Sequence, residues 1–428
     1  MSDQSEATVA RAAAKAGNYR WLICGLLFAA TTINYIDRQM ISVLKPTLQA
    51  EYGWSESTYA DIVFSFQLAY AIGYVVFGRL IDKLGARFGY SLAAGIWGLA
   101  AMAHAGANNA WHFIIARFAL GIGESGNFPA GVKAVAEWFP KKERAFAVGI
   151  FNAGANIGAI LTPLIAPFLV IWFGWRVAFL LTGAIVFIWL AFWWTIYRRP
   201  RETKKLGQAE LAHIESDPPD APGEVRWLPL LRHRQTWAYA VGKFMIDPIW
   251  WFFLFWLPSF FAQQHGLNLL TFGLPLAAIY IISDVGSVGG GWISSALIKR
   301  GWSVNAGRKT AMLICALCVP PVMLAPGVSS VWGAVLLIGL ATAAHQGFSA
   351  NLYTIPSDMF PRKAVGAIIG IGGTIGAVGG MFMAKFTGWM LDTTGSYMPM
   401  FVIAGSTYLL ALLIIHLLVP RMEEARID

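Results

Sequence analysis

Arg117 and Glu124 stand seven residues apart in a stretch that is otherwise apolar from Phe113 to Gly123. Seven residues is close to two helical turns, so both side chains fall on one helix face. A planar guanidinium matches the two oxygens of a carboxylate, and a glutamate held away from water is a candidate proton carrier. Together they describe a site for an anion that travels with a proton. A second charged pair, Asp37-Arg38, interrupts the apolar run 21–44. A charge inside such a run costs roughly 2.5–3.5 kcal/mol on insertion scales, so it faces a cavity or a partner rather than lipid. With the first run crossing outward and the fourth inward, Asp37 and Arg117 should share a depth in the outer half and Glu124 should lie nearer the midplane. On this reading Arg117 or Arg38 holds Asp37 ionised, and the deeper Glu124 is the better proton carrier. Arg38 points about 100° away from Asp37 and ranks behind it. The competing account of these acids is a static ion-pair network.

Weaker signals follow in the second half. Lys243 and Asp247 stand at i and i+4 before Pro248 and the run Trp250-Trp251-Phe252-Phe253, which reads equally as a gate or as a salt bridge beside a proline kink. His345, Gln346 and Asn351 fall in one apolar segment, where they either bind sugar hydroxyls or join helices. Asp284 lies within an apolar segment and can titrate. The glycines at 286, 289, 290 and 291 that follow it, like Gly154-x-x-x-Gly158, read first as close helix contact, and Asp284 ranks below Glu124.

The elements that hold these residues are membrane helices. Only 13% of the 428 residues are charged and 57% are hydrophobic, with a mean hydropathy of +0.57, whereas a soluble domain carries roughly 25% charged residues. Twelve apolar segments can be drawn, at 21–44, 58–80, 88–107, 111–136, 145–170, 175–197, 236–261, 273–298, 309–326, 330–356, 364–391 and 397–419. The alternation of a membrane barrel is absent. The first 20 residues are polar and no small-residue cleavage site follows the first apolar run, so no secretory signal is expected. Cys24, Cys315 and Cys318 lie in apolar segments without His or Cys partners and read as packing residues. No metal or cofactor is expected, and protons are the coupling ion.

Lysine and arginine gather in alternate loops, at Arg79, Lys83 and Arg87, at Lys141, Lys142 and Arg144, at Arg198 to Lys205, at Lys299 to Lys309, and at Arg362 and Lys363. The opposite loops hold little beyond Lys45 and Arg176. Such asymmetry makes the cation-rich loops and both termini cytoplasmic in an inner membrane. The net charge of +9 therefore encodes topology, and nucleic acid is not an expected partner. The polar stretch 198–235 divides the chain into an N-terminal six-helix bundle (1–197) and a C-terminal one (236–428). Phe139-Pro140-Lys141-Lys142 returns as Phe360-Pro361-Arg362-Lys363, and the same offset carries Gly149 and Gly158 onto Gly370 and Gly379. An internal repeat of this kind relates parallel halves.

Gly78-Arg79-Leu80-Ile81-Asp82-Lys83-Leu84-Gly85-Ala86-Arg87 resembles the signature loop of the major facilitator superfamily, where Gly78, Asp82 and Arg87 would form a conformational latch. Asn34-Tyr35-Ile36-Asp37-Arg38, the segment from Arg117 to Glu124 and Glu137-Trp138-Phe139-Pro140 resemble the anion:cation symporter family. Within it, the segments Ala344 to Asn351, Ile282 to Asp284 and Ser357 to Phe360 are similar to the hexuronate transporters. The resemblance implies an all-α membrane protein of twelve helices in two pseudo-symmetric bundles. It also implies proton-coupled uptake of a sugar acid by alternating access. By it, Asp37 and Glu124 match protonatable acids, Arg117 the substrate or coupling arginine, and Tyr35 and Tyr70 cavity tyrosines. Thr374 stands amid glycines where the family has a polar side chain.

The expected partners are a small organic anion and the lipid bilayer, with the protein acting as a monomer. Transport or exchange of another anion, an aldonate, aldarate or aromatic carboxylate, is the alternative. A nontransporting membrane sensor on the same fold is a reading from another class. No nucleophile motif or phosphate-binding loop supports an enzyme.

Overall fold

The computed structural model describes residues 17–217 and 227–425. Pro218, Pro219 and Pro222 of the linker lie outside these, as do the side chains of Asp82, Arg362 and Lys363. Twelve long helices carry the described chain. The first half holds α1 (Tyr19–Tyr52), α2 (56–84), α3 (86–103), α4 (Ala110–Glu124, resuming as Asn127–Trp138), α5 (141–173) and α6 (175–196). The second holds α7 (Arg234–His265), α8 (Gly273–Lys299), α9 (Val304–Cys318, continued by a tight 3-10 turn to Gly327), α10 (Val331–Leu352, resuming as Ile355–Met359), α11 (Arg362–Thr394) and α12 (Met398–Leu418). Large apolar side chains such as Trp111, Trp172, Val288 and Leu336 are exposed on the outer surface, which suits lipid as the surrounding solvent.

The repeated motif has the same structural meaning in both halves. Pro140 and Pro361 each precede a helix in extended geometry, at φ −62° and −61°, and start α5 and α11 where a missing N–H costs nothing. A Cβ on Gly158 would meet the Thr32 carbonyl of α1 at 2.5 Å, and one on Gly379 would meet the Phe244 carbonyl of α7 at 2.5 Å. Thus α5 packs on α1 as α11 packs on α7. Gly286 and Gly290 likewise bring α8 against the backbone of α10 at Ala343 and Gly347.

Within the signature loop, Gly85 makes the turn between α2 and α3, at φ +78°, a conformation that side chains avoid. Gly78 is helical. Arg87 donates to the Trp194 carbonyl at 2.7 Å and lies over that indole, so it ties α3 to α6. The linker does more than span the halves. Its short helix Gln208–Ile214 presents Glu210, whose carboxylate accepts from the Tyr19 and Arg20 backbone N–H groups at 3.2 and 3.1 Å. This caps α1, and Arg20 bridges onward to Glu143 at 2.9 Å.

The first helix departs from expectation in length. Its apolar run ends at Leu44, yet α1 continues through Lys45 and Pro46 to Tyr52. Lys45 is fully buried, paired with Glu56 at 2.5 Å and set over the Tyr59 ring, so the charge that marks an aqueous boundary in the sequence is neutralised inside the fold. Arg176, the other lone cation of these loops, binds the carbonyls of Ala105 and Ala107, the Tyr52 hydroxyl and Asn108.

At this end of the molecule the halves are joined. Asp392 of α11 accepts from the backbone N–H groups of Glu56 and Ser57, both at 2.8 Å, capping α2 from the opposite half. Lys385 pairs with Asp61, the Tyr59 hydroxyl donates to the Phe255 carbonyl at 3.0 Å, and Gln39 donates to Tyr280 at 3.2 Å. These bonds hold the two halves together at this end, so the molecule is closed here. Removing a helix cap costs about 0.5–2 kcal/mol. We therefore expect Asp392→Ala to populate a state opened at this end. Spin labels at the exposed residues Ala50 and Thr393 should report a new, longer distance, and an unchanged distribution would assign the closure to the apolar contacts alone.

Candidate functional site: a caged arginine between the halves

Asn34, Asp37 and Arg38 on α1 and Arg117 and Glu124 on α4 form one buried cluster, the four charged residues each no more than 2% exposed. Arg38 is its centre. Its Nε donates to Glu124 at 2.7 Å and its Nη2 to the Asn34 side-chain carbonyl at 3.1 Å; neither bond uses Nη1. Four rings enclose the guanidinium, Tyr35 at 4.5 Å, Tyr70 at 4.9 Å, Phe66 at 5.4 Å and Trp251 at 5.5 Å. Three belong to the first half and Trp251 to α7 of the second. Cation–π attraction of this kind strengthens when desolvated, and a cage shared by both halves senses their relative position. Tyr74 extends the wall one turn beyond Tyr70, the two hydroxyls 3.4 Å apart.

Arg117 shares the Phe66 wall of this cage and lies over Phe255 of α7 at 5.7 Å. It donates through Nη2 to the Arg38 carbonyl at 3.1 Å and sits over Phe66, fully buried, while its Nε and Nη1 have no protein partner. Both arginines thus lie beside rings of α7, and Arg38, which the sequence ranks lower, is the one paired with Glu124. The acids differ from expectation in which of them is paired. Glu124 holds a cation directly, whereas both oxygens of Asp37 lack a hydrogen-bond partner. The polar neighbours of Asp37 are Thr182 of α6 and Trp97 of α3, inside the first half and away from Trp251. The cause is helical direction: one residue along α1 turns a side chain by about 100°, and packing of α1 on α5 turns Arg38 to the seam and Asp37 to α3 and α6. Buried polar groups without partners are rare, and Asn34, Asp37, Gln67, Arg117 and Glu124 each carry at least one.

In the second half, Lys243 pairs with Asp247 and with the Tyr353 hydroxyl, both at 2.8 Å. Asp247 packs against Gly376 of α11, and Trp251, one turn further along α7, against Gly380. Tyr353 is in electrostatic reach of Tyr35 and Tyr74 across the seam, so this group faces the Arg38 cage. His345 stacks on Trp250 at 5.2 Å, and its Nδ1 meets the Tyr408 hydroxyl at 2.6 Å. Asn351 spends its amide on the carbonyls of Gly290 and Gly347, both at 2.9 Å, which is a bond between α10 and α8. Gln346 and Thr374 are partly buried and make no side-chain hydrogen bond among the described residues. Asp284 is partly buried on α8 with one oxygen unpartnered, and no contact joins it to the cage. Sequence reasoning missed Asn34, Phe66, Gln67, Tyr74 and Tyr353. An Asn one turn before an intramembrane Arg was the available signal for the first. Two clefts of about 540 and 190 Å³ open at the linker, beside Glu137, Arg199 and Glu202; no residue of the cage lines either.

The family model described as Major Facilitator Superfamily matches residues 27–306, a span that includes the cage on α1, α2, α4 and α7. The chain belongs to the Major Facilitator Superfamily. Among curated proteins, this member is 31% identical to the hexuronate transporter of Escherichia coli (strain K12), over 95% of this chain and 96% of that protein. It is 33% identical to the galacturonate transporter of Dickeya chrysanthemi, over 79% of this chain and 97% of the relative. Solved structures agree on the fold. A bacterial homologue of the human lysosomal transporter Spinster, in an inward-facing and occupied conformation, superimposes with a TM-score of 0.76 at 17% identity, covering 94% of this chain and 97% of that one. The D-xylose-proton symporter gives 0.74, also at 17% identity, over 96% of this chain and 100% of its own. The fold is therefore the all-α major facilitator fold of two pseudo-symmetric six-helix bundles, and the protein is a multi-pass membrane transporter, not an enzyme.

Proposed function

We propose that the protein imports a sugar acid of the hexuronate class together with a proton, and that Arg38 receives the substrate carboxylate. The observation that carries this reading is the Arg38 guanidinium, held by Glu124 and walled by rings from both halves. A carboxylate and Glu124 compete for the same donors. Once Glu124 takes a proton it loses its charge-assisted bond, and the planar fork is free to bind two substrate oxygens. Tyr35, Tyr70, Tyr74 and Trp251 offer ring faces and hydroxyls for a sugar. Arg117 acts through the Arg38 main chain, and Asp37 is a second acid of the same cluster.

Alternating access follows from the shared cage. The bonds that Asp392, Tyr59 and Lys385 make across the halves hold one end closed, the end opposite the linker, which the positive-inside rule makes cytoplasmic. Opening the first end separates Trp251 from Arg38 and exposes the site to the other face. The relatives named as hexuronate and galacturonate transporters support the substrate class. The test is uptake of labelled acids by purified protein in proteoliposomes, with and without an inward proton gradient. Saturable glucuronate accumulation that needs the gradient is expected. Indifference to every organic anion would refute the substrate reading, and uptake indifferent to the gradient would refute the coupling.

A further inference from the structure

Besides Arg117, the central site holds two cations, each matched in a different way. Arg38 is matched by Glu124 from another helix, a partner that one proton removes. Lys243 is matched by Asp247 on its own helix, four residues on, at 2.8 Å. Helix geometry keeps an i,i+4 pair in register whatever the two halves do, and the pair also holds its place through the Tyr353 hydroxyl on Lys243 and the close fit of Asp247 to Gly376.

We propose that Asp247 is a specificity residue: by neutralising Lys243 it confines the transport site to acids with one carboxylate, such as hexuronates and aldonates, and excludes aldarates, which carry one at each end. The proposal rests on the reading that Arg38 takes a sugar-acid carboxylate. Asp247 lies one turn from Trp251 on α7, about 6 Å of rise, and Trp251 walls Arg38. A six-carbon acid with one end on Arg38 therefore carries its other end toward Asp247 and Lys243. An uncharged hydroxyl or aldehyde end meets a neutral pair there. A second carboxylate meets an ammonium already engaged and a carboxylate of like charge. Binding a dianion needs an unmatched cation at its far end as well, and there Lys243 is already matched.

The experiment compares binding of glucuronate and glucarate to the purified full-length protein, as wild type, D247N and the double variant K243Q/D247N. Wild type should prefer glucuronate. In D247N the ammonium faces the site without its counter-charge, and the affinity ratio should move toward glucarate by about tenfold or more, the scale of one close charge pair near a protein surface. Removing the cation as well, in the double variant, should return the preference to glucuronate. A D247N protein that binds glucuronate with the wild-type ratio overturns the proposal. Should D247N fail to accumulate, wild type decides alone, since glucarate bound as well as glucuronate also overturns it. Wild type binding neither acid refutes the sugar-acid reading itself, a result distinct from binding both.

Discussion

Glu124→Gln is expected to abolish proton-driven accumulation while leaving exchange of substrate across the membrane measurable. The amide is nearly isosteric and still accepts from Arg38 Nε, so the 2.7 Å contact survives in shape but loses its charge. Arg38 is then available to a carboxylate at every pH. In the wild-type protein, binding one anion with one proton on Glu124 makes affinity fall as pH rises, approaching about tenfold per pH unit above the pKa of that carboxyl. The variant should bind the anion with an affinity that no longer depends on pH in this range. Since proton and substrate raise each other's affinity reciprocally, loss of the pH dependence and loss of accumulation must occur together. A variant that still accumulates substrate against a gradient would remove Glu124 from the coupling, leaving Asp37 as the acid to test. Loss of exchange along with accumulation would move Glu124 to binding or folding.

Arg38→Lys keeps the positive charge and removes the fork. An ammonium lacks the planar pair of donors that satisfies Glu124 and Asn34 together and still offers Nη1 to a ligand. Truncating one partner of a buried charge pair typically costs about 2–5 kcal/mol, so anion affinity should fall roughly thirtyfold or more. Arg117→Lys should cost less, because Arg117 donates to the Arg38 carbonyl and makes no bond to Glu124, which Arg38 holds. Equilibrium binding on purified protein, with thermal unfolding as a control for folding, separates the two. A larger loss at Arg117 than at Arg38 would restore Arg117 as the substrate arginine and contradict the arrangement proposed here.

The class of the protein was legible because lipid is an undemanding reader. A helix that must satisfy its backbone inside hydrocarbon needs only length and apolarity, so the segments around Trp175 to Tyr197 and Met398 to Val419 announce themselves. Cation asymmetry, the Phe-Pro-basic repeat and the Gly78 to Arg87 loop added the family. Charged residues in apolar runs pointed to one buried cluster, since each is too costly to be idle.

The pairing inside the cluster was decided only by tertiary structure. Asp37 and Arg38 are neighbours in sequence, and which of them meets Glu124 depends on the rotation of α1 about its axis, which its contacts with α5 set through the close approach of Thr32 to Gly158. A membrane helix gives little advance notice of that rotation, because the faces toward lipid and toward other helices are both apolar. Lys45 was hidden for the same reason: its residue type signals water, and only the arrival of Glu56 and Tyr59 makes its burial tolerable. The cap that Asp392 places on α2 joins residues more than three hundred positions apart, a relation that no local pattern encodes. Residue type and spacing thus determined what charges the membrane interior contains, and the packing of the two halves determined which of them face each other.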